Sequence, residues 1–147
     1  MKLLILNGPN LNLLGIREPA IYGRETYADL CERIKAYAKD KDIEVRFVQS
    51  NHEGALVDAI QRAYFDGLDS IVLNPGAYTH TSIALLDALK GVGLPAVEVH
   101  ISDPDTREDF RHVSFVRAAC IATIKGRGTQ GYLDAIDLLA AHVGEKA

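Results

Sequence analysis

The chain has 147 residues, of which 48% are apolar and 24% charged, and these values lie close to the average for globular domains. Twenty acidic and sixteen basic residues give a formal net charge of −4. This balance argues against nucleic-acid binding, because proteins of that class normally carry a basic surface. The length predicts one domain spanning residues 1–147.

Cysteine usage and hydropathy indicate the cellular compartment in which the protein works. Cys31 and Cys120 are the two cysteines, and their spacing matches neither a disulfide framework nor a metal motif. No apolar run approaches the roughly 18 residues needed to cross a bilayer. We therefore expect a cytoplasmic protein without a membrane partner.

Short aliphatic runs alternate with amphipathic segments along the whole chain. In chain order, strands are predicted over 3–6, 43–49, 70–73, 96–99 and 120–124, and helices over about 25–39, 53–65, 82–89 (ending near Gly91) and 132–142. Such alternation is typical of a parallel sheet with helices on both faces. We expect an α/β, flavodoxin-like three-layer sandwich whose five-stranded parallel sheet has the order 2-1-3-4-5.

One segment lacks any clear period. Residues 8–24 follow the first predicted strand and run for about seventeen positions without a helical or strand pattern. Structureless segments of that length are uncommon in compact domains and are usually lids or binding loops. We expect this segment to cover a ligand site.

Polar side chains follow the first four predicted strands. Ligands of open parallel sheets bind beyond the carboxyl ends of the strands. The residues found there are Asn7 and Asn10, then Asn51 and His52, then Asn74 and His80, then His100, Ser102, Arg107 and Arg111. Any one of them has a structural explanation, since Asn is a good turn residue and a histidine ending a buried strand can be a satisfied core residue. Their joint placement indicates a site for a small polar anion.

Several familiar motifs are absent or misplaced. The pattern GxGxxG at 126–131 follows the last strand, so no later strand can supply the acidic ribose ligand of a dinucleotide site. The sequence has no P-loop, no HExxH and no GxSxG, and its His and Asp residues are too scattered to predict a metal site. No lysine directly follows strands one to four, which weakens a Schiff-base mechanism.

General acid–base catalysis is the chemistry that the remaining residues favour. Arg17 and Tyr22 lie five residues apart in the aperiodic segment. A guanidinium within about 4–6 Å lowers the pKa of a phenol, so closure of a lid can turn Tyr22 into a base. His100 at a strand end is a candidate acid, and Glu98, on the same strand face, can orient it.

Four blocks of sequence resemble the type II 3-dehydroquinate dehydratase family. They are LNGPNLNLLGIREPAIYG (6–23), QSNHEGALVDAI (49–60), LNPGAYTHTSIALLDAL (73–89) and EVHISDPDTREDFR (98–111). The resemblance implies a flavodoxin-like subunit in a homododecamer, a tetramer of trimers. It also implies a hydro-lyase that needs no cofactor or metal and dehydrates 3-dehydroquinate to 3-dehydroshikimate through an enolate, in the shikimate pathway or in quinate breakdown.

The resemblance also implies roles for individual residues. Tyr22 resembles the base that takes the C2 proton, Arg17 its activating neighbour, and His100 the acid that protonates the departing hydroxyl. The supporting positions are Asn10, which resembles a residue holding a water near the enolate, and Glu98, the partner of His100. The substrate-binding positions are Asn74, His80, Ile101, Ser102, Arg111 and Asp87, the last contributed across a trimer contact, with Arg107 as a second arginine.

Two other classes of protein share the predicted fold. A flavodoxin-like module could hold a flavin or another small anion without catalysis, but the segment after strand one lacks a Ser/Thr-rich phosphate cradle. A receiver-type signalling domain needs a phosphorylatable Asp after strand three, where Asn74 stands. A yellow colour of the purified protein would distinguish a flavoprotein from the predicted lyase.

Overall fold

The computed structural model describes residues 1–16 and 18–146, with the backbone alone for Tyr22 and Lys146. Its strands are β1 (Lys2–Asn7), β2 (Glu44–Gln49), β3 (Ser70–Asn74), β4 (Ala96–His100) and β5 (Ala122–Lys125). They form a parallel sheet in the order β2-β1-β3-β4-β5, which confirms the predicted topology. The α-helices are α1 (Pro19–Tyr22), α2 (Tyr27–Asp40), α3 (Glu53–Phe65), α4 (Ile83–Val92) and α5 (Gln130–Lys146).

The sheet is buried between two helical layers. Leu3 and Ile5 of β1 join a core cluster with residues of α2 and α5. Leu4 and Leu6 point to the opposite face, where they join a second cluster with residues of α3 and α4. Successive side chains of a strand alternate between faces, so a continuous aliphatic run is what a strand covered on both faces requires.

Short polar signals set the ends of the helices. Thr26 caps α2, because its hydroxyl accepts from the Asp29 N–H while the Asp29 carboxylate accepts from the Thr26 N–H. The Ser82 hydroxyl caps α4 by accepting a hydrogen bond from the Leu85 N–H. The helix was predicted to end near Gly91, and α4 ends one residue later, at Val92, where Gly93 adopts a φ of 69°.

Two other predicted boundaries need correction. Residues 8–24 contain local structure in place of a plain loop, namely a 3-10 turn at Leu11–Leu13 and α1 with Pro19 at its first position. Both elements are too short to show a period in the sequence. Strand β5 begins at Ala122 rather than Cys120, because a 3-10 helix occupies Val116–Ala119.

Within residues 1–16 and 18–146, helices are either too short or too polar to cross a membrane.

The segments that follow β1 and β3 pack backbone against backbone. The Gly8 N–H donates to the Asn74 carbonyl at 2.8 Å. A Cβ atom on Gly8 would lie 2.5 Å from the Pro75 carbonyl oxygen, and one on Gly76, whose φ is 59°, would lie 3.1 Å from that of Pro9. Only glycine permits this approach, and the approach fixes the spacing of the two segments at the carboxyl edge of the sheet.

We predict that Gly8→Ala lowers the free energy of unfolding by about 1–3 kcal/mol, because the added methyl group overlaps a backbone carbonyl that cannot swing aside. Gly54→Ala is the matched control, since nothing lies within 4 Å of a Cβ atom there and alanine is favoured inside a helix by about 0.5–1 kcal/mol. Denaturant melts of both variants check the prediction. Equal stability of the two variants would contradict it.

Candidate active site

A cleft of about 650 Å³, part of it open solvent, lies at the carboxyl edge of the sheet. The segments after β1, β3 and β4 form its walls. Of the polar or site residues predicted from the sequence, those that line it are Asn10, Asn74, His80, His100, Ile101, Ser102, Arg107 and Arg111. Leu11 and Leu14 add an apolar wall from the segment after β1.

The fourth predicted contributor, the segment after β2, supports the cleft without lining it among the described residues. The Asn51 side-chain oxygen accepts from the Asn10 N–H at 3.0 Å. The Tyr78 hydroxyl donates to the Asn51 carbonyl at 2.8 Å. These contacts hold the segment that carries Asn10. The backbone of Asn10 has a left-handed φ of 68°, a conformation that Asn adopts more readily than most residues.

Three of the predicted site residues are not seen in the cleft of the single chain. Arg17 and the side chain of Tyr22 lie outside the described residues. Asp87 lies on α4, away from the cleft, in a shallow depression beside Tyr64 and Phe65. Within a single chain, therefore, the cleft unites the binding positions after β3 and β4 but does not include Asp87.

Arg107 and Arg111 belong to two separate short turns. Arg107 follows a 3-10 turn at Pro104–Thr106, and Arg111 ends a separate one that begins at Asp109. Both still line the cleft. The Arg111 Nε atom donates to Glu108 at 2.6 Å, which leaves other guanidinium N–H groups for an anion.

His100 and Glu98 form the central ionisable pair. They are two residues apart on β4, so both side chains point to the same face of the sheet. The His100 Nε2 atom lies 2.6 Å from Glu98 Oε1, and Glu98 is completely buried. Because a carboxylate only accepts, this bond requires the proton on Nε2 and leaves Nδ1 as the second ring position.

Three hydroxyl groups complete the surroundings of Glu98. Thr79 and Ser114 donate to Oε1 at 2.5 and 2.8 Å, and Thr123 donates to Oε2 at 3.2 Å. Burial by itself raises the pKa of Glu98, but the hydrogen bond and charge of His100, with the Thr79 and Ser114 hydroxyls, lower that pKa from 4.5 to about 2. Glu98 is therefore an anion at neutral pH.

His80 is oriented from behind by the backbone. Its Nδ1 atom lies 2.6 Å from the Val113 carbonyl. A carbonyl oxygen only accepts, so Nδ1 carries the proton and Nε2 is available to the cleft. His80 closes the 3-10 helix Gly76–His80 and lines the cleft together with residues that follow β4.

Sequence reasoning missed the buried partners of the site. Asn7 and Asn74 were expected at the ligand edge of the sheet, but their shared contact was not predicted: both are buried and hydrogen-bonded to the hydroxyl of Tyr132. Thr79 and Ser114, which enclose Glu98, also went unnoticed. Their distance in sequence explains this, because Ser114 is 16 and Tyr132 is 58 residues from the group that each contacts. The immediate neighbour of His80, Thr79, was the one local signal.

Among residues 1–16 and 18–146, no group of three or more His, Cys, Asp or Glu side chains is placed to hold a metal ion. Cys31 and Cys120 are free thiols. Burial raises the pKa of Cys120 to about 12, with a further rise from the charge of Glu98. Cys120 is therefore a neutral packing residue at physiological pH rather than a nucleophile.

An open parallel sheet with an oriented acid–base pair and anion-binding groups at its carboxyl edge defines an α/β enzyme of flavodoxin-like fold. Residues 1–140 match the family model described as dehydroquinase class II. The chain belongs to this family.

Individual relatives agree with the family over nearly their whole length. The 3-dehydroquinate dehydratase of Fusobacterium nucleatum is 55% identical over 138 residues, covering 92% of this chain and 94% of the relative. The catabolic 3-dehydroquinase of Pyricularia oryzae is 53% identical over 146 residues, covering 99% and 93%. The crystal structure of the type II dehydroquinase of Butyrivibrio crossotus superimposes with a TM-score of 0.94 at 55% identity, covering 95% and 97%.

The buried carboxylate predicts a specific response to acid. Since the folded-state pKa of Glu98 is depressed to about 2 from 4.5, its stabilisation is complete above about pH 4.5 and disappears as the pH falls towards 2. We predict that Glu98→Gln lowers the free energy of unfolding at pH 7 by about 3 kcal/mol, the equivalent of that shift.

Urea melts between pH 2.5 and 7 check this prediction, and the quantity compared is the difference between parent and variant. That difference should shrink as the pH falls below 4.5. Glu32→Gln, on the exposed face of α2, is the control and should follow the parent. A difference for Glu98→Gln that does not change with pH would contradict the prediction.

Proposed function

We propose that this chain catalyses the dehydration of 3-dehydroquinate to 3-dehydroshikimate through an enolate, a step of the shikimate pathway that leads to chorismate and the aromatic amino acids. The observation that carries the proposal is the buried Glu98–His100 pair, 2.6 Å apart, at the wall of the cleft in a member of the class II dehydroquinase family. An acid held by an ionised carboxylate beside anion-binding groups is suited to expelling a hydroxyl group from a carboxylated substrate.

The reaction needs a base and an acid on the two sides of the substrate. Tyr22, as phenolate, removes the C2 proton, and the electron pair of the C–H bond forms the enolate. Arg17 favours the phenolate and stabilises the developing charge. Support for these roles comes from the segment that carries both residues, because its first part, residues 9–11 and 14, lines the cleft.

His100 completes the elimination. As the enolate collapses, the C1–O bond breaks and the departing hydroxyl takes the His100 proton, so water leaves. Asn10, which lines the cleft, holds a water molecule against the enolate oxygen in this scheme. Tyr22 then releases its acquired proton to solvent, and His100 takes up a proton from solvent. Both residues thereby return to their starting states.

Binding groups for the substrate surround this pair. Ile101 and Ser102 lie directly after β4, where a backbone N–H and the Ser102 hydroxyl suit a carboxylate. Asn74, His80 and Arg111 also line the cleft and suit the ring hydroxyls. Since these groups are hydrogen-bond donors or cations, they match a polar anion and reject an apolar ring system.

The assembled protein in this proposal is a cytoplasmic homododecamer, a tetramer of trimers, in which Asp87 reaches the cleft of a neighbouring subunit. Support comes from the surface that carries Asp87. The neighbouring side chains of Tyr64 and Phe65 on α3 are 53% and 79% exposed in the single chain, and exposed aromatic groups of this kind are typical of protein interfaces.

The names of the family and of its printed relatives favour the lyase over a flavin-binding module without catalysis. The family is described as dehydroquinase class II, and relatives from Caldicellulosiruptor bescii, Clostridium perfringens and Lachnoclostridium phytofermentans are each named 3-dehydroquinate dehydratase. One relative bears the name of a catabolic enzyme and others do not, and the reaction they share is the one proposed here.

We predict that the purified protein converts 3-dehydroquinate to a conjugated product, followed by its ultraviolet absorbance. Tyr22→Phe should lower kcat by about 10²–10⁴-fold, because the variant lacks the proton acceptor, while a product-like ligand still binds. Tyr37→Phe is the control, since its hydroxyl contacts Asp137 at 2.7 Å outside the cleft. Absence of turnover by the folded parent would overturn the proposed function, and retained turnover by Tyr22→Phe would remove that residue from its role.

A mixing experiment tests the shared site. Asp87→Ala and Tyr22→Phe should each be nearly inactive, and co-refolded mixtures should regain activity, because some clefts then receive an intact Tyr22 and an intact Asp87 from different chains. Light scattering should give a mass twelve times that of the 16.0 kDa chain. Mixtures as inactive as their components, or a monomer in solution, would contradict the proposed assembly.

A further inference from the structure

Tyr132 is a completely buried side chain on α5, next to the cleft but not part of its wall among the described residues. Its hydroxyl bridges the carboxyl ends of two adjacent strands. It donates to Asn7 Oδ1 at 2.6 Å and accepts from Asn74 Nδ2 at 2.9 Å. Asn7 and Asn74 are register partners on β1 and β3, so their amides lie side by side on the face covered by α5.

A backbone donor fixes the direction of this network. The Gly76 N–H lies 3.1 Å from Asn74 Oδ1, and because an N–H can only donate, the atom that faces it must be the amide oxygen. The Asn74 nitrogen therefore faces Tyr132, whose single proton must go to Asn7. The Asn7 nitrogen then faces the hydroxyl of Tyr27 at 3.4 Å. Every donor and acceptor in the series has one consistent orientation.

The orientation decides what Asn74 offers to a ligand. Its amide nitrogen has two N–H bonds, and one of them donates a hydrogen bond to the Tyr132 hydroxyl. Asn74 lines the cleft, so the second N–H can be donated to a ligand. Without the hydroxyl of Tyr132, only the Gly76 bond would resist rotation of the amide, and the cleft would meet a mixture of donor and acceptor.

We propose that Tyr132 is a positioning residue of the active site, which holds the Asn74 amide so that it donates an N–H to an oxygen of the bound substrate. The inference rests on the proposed function for the identity of that substrate. Burial raises the pKa of the Tyr132 hydroxyl far above its usual range, so the hydroxyl keeps its proton, and its donation to Asn7, throughout the working pH range.

A purely structural role for Tyr132 makes a different prediction. A buried hydroxyl that only satisfies two strand ends would, when removed, lower stability without changing substrate affinity. A positioning role predicts weaker binding of the substrate with little change in the rate of the chemical step. In the proposed function, Asn74 contacts a hydroxyl group on the substrate ring and not the departing hydroxyl. KM and kcat therefore separate the two roles.

The test is Tyr132→Phe, which keeps the buried ring and removes the hydroxyl. We expect KM for 3-dehydroquinate to rise by roughly 3- to 30-fold, as for loss of one or two hydrogen bonds, with kcat changed less than about threefold. Tyr37→Phe makes the same chemical change at a tyrosine that also joins α2 to α5, through Asp137, and should leave both constants unchanged.

A double-mutant comparison shows whether the effect passes through Asn74. In an Asn74→Ala background, Tyr132→Phe should raise KM no further. Should Tyr132→Phe not fold, Asn7→Leu takes its place, because removing the acceptor of the Tyr132 proton lets the hydroxyl turn that proton towards Asn74 and invert the amide. An unchanged KM in the active variant, or an equal rise in the Asn74→Ala background, would overturn the inference alone. An inactive parent would overturn the proposed function and this inference with it.

Discussion

The buried charge of Glu98 is the constraint on which the site depends. A carboxylate without exposure is unstable unless its oxygens are hydrogen-bonded and its charge is balanced. Its partners come from separate parts of the chain, with Thr79 before α4, Ser114 after the last arginine of the cleft, and Thr123 on β5. The charged carboxylate can therefore be buried at this position only when the segments around β4 are correctly folded, and the same folding brings it to His100.

Polar groups reach the cleft from both faces of the sheet. Val97 and Val99 belong to the core beneath α2 and α5, so Glu98 and His100, at alternate positions of β4, face the α4 side. Asn74 follows Val72 in the same alternation and faces α5, where Tyr132 meets it. The two buried polar clusters thus lie on opposite faces and meet only at the carboxyl edge, where the strands end and the cleft opens.

The sequence allowed most of the fold to be predicted, because strands such as 3–6 contain continuous aliphatic runs and the intervening helices are amphipathic. The same alternation placed Asn74, His80 and His100 at one edge, as the cleft confirms. Period and composition do not reveal which polar atoms meet across long separations. Tyr132 falls at a core position of α5, but nothing local indicates that its hydroxyl reaches Asn7, 125 residues away. The positions of Asn74, His80 and His100 at the cleft are confirmed, whereas the catalytic and binding roles of all the site residues, including Arg17, Tyr22 and Asp87, stay predictions.

In the proposed mechanism, the three hydroxyl groups around Glu98 affect how readily His100 can give up its proton. When His100 is an imidazolium, the pair is close to neutral, but after His100 gives its proton away the carboxylate loses that balancing charge. Thr79, Ser114 and Thr123 also donate hydrogen bonds to this carboxylate, and the Arg117 Nε atom lies 3.7 Å from Oε2. Hydrogen bonds to an ionised group are worth about 1.5–3 kcal/mol each. Glu98 can therefore stay charged while His100 changes between its protonated and neutral forms. A site that relied on His100 alone to balance Glu98 would resist the very proton transfer that the elimination requires.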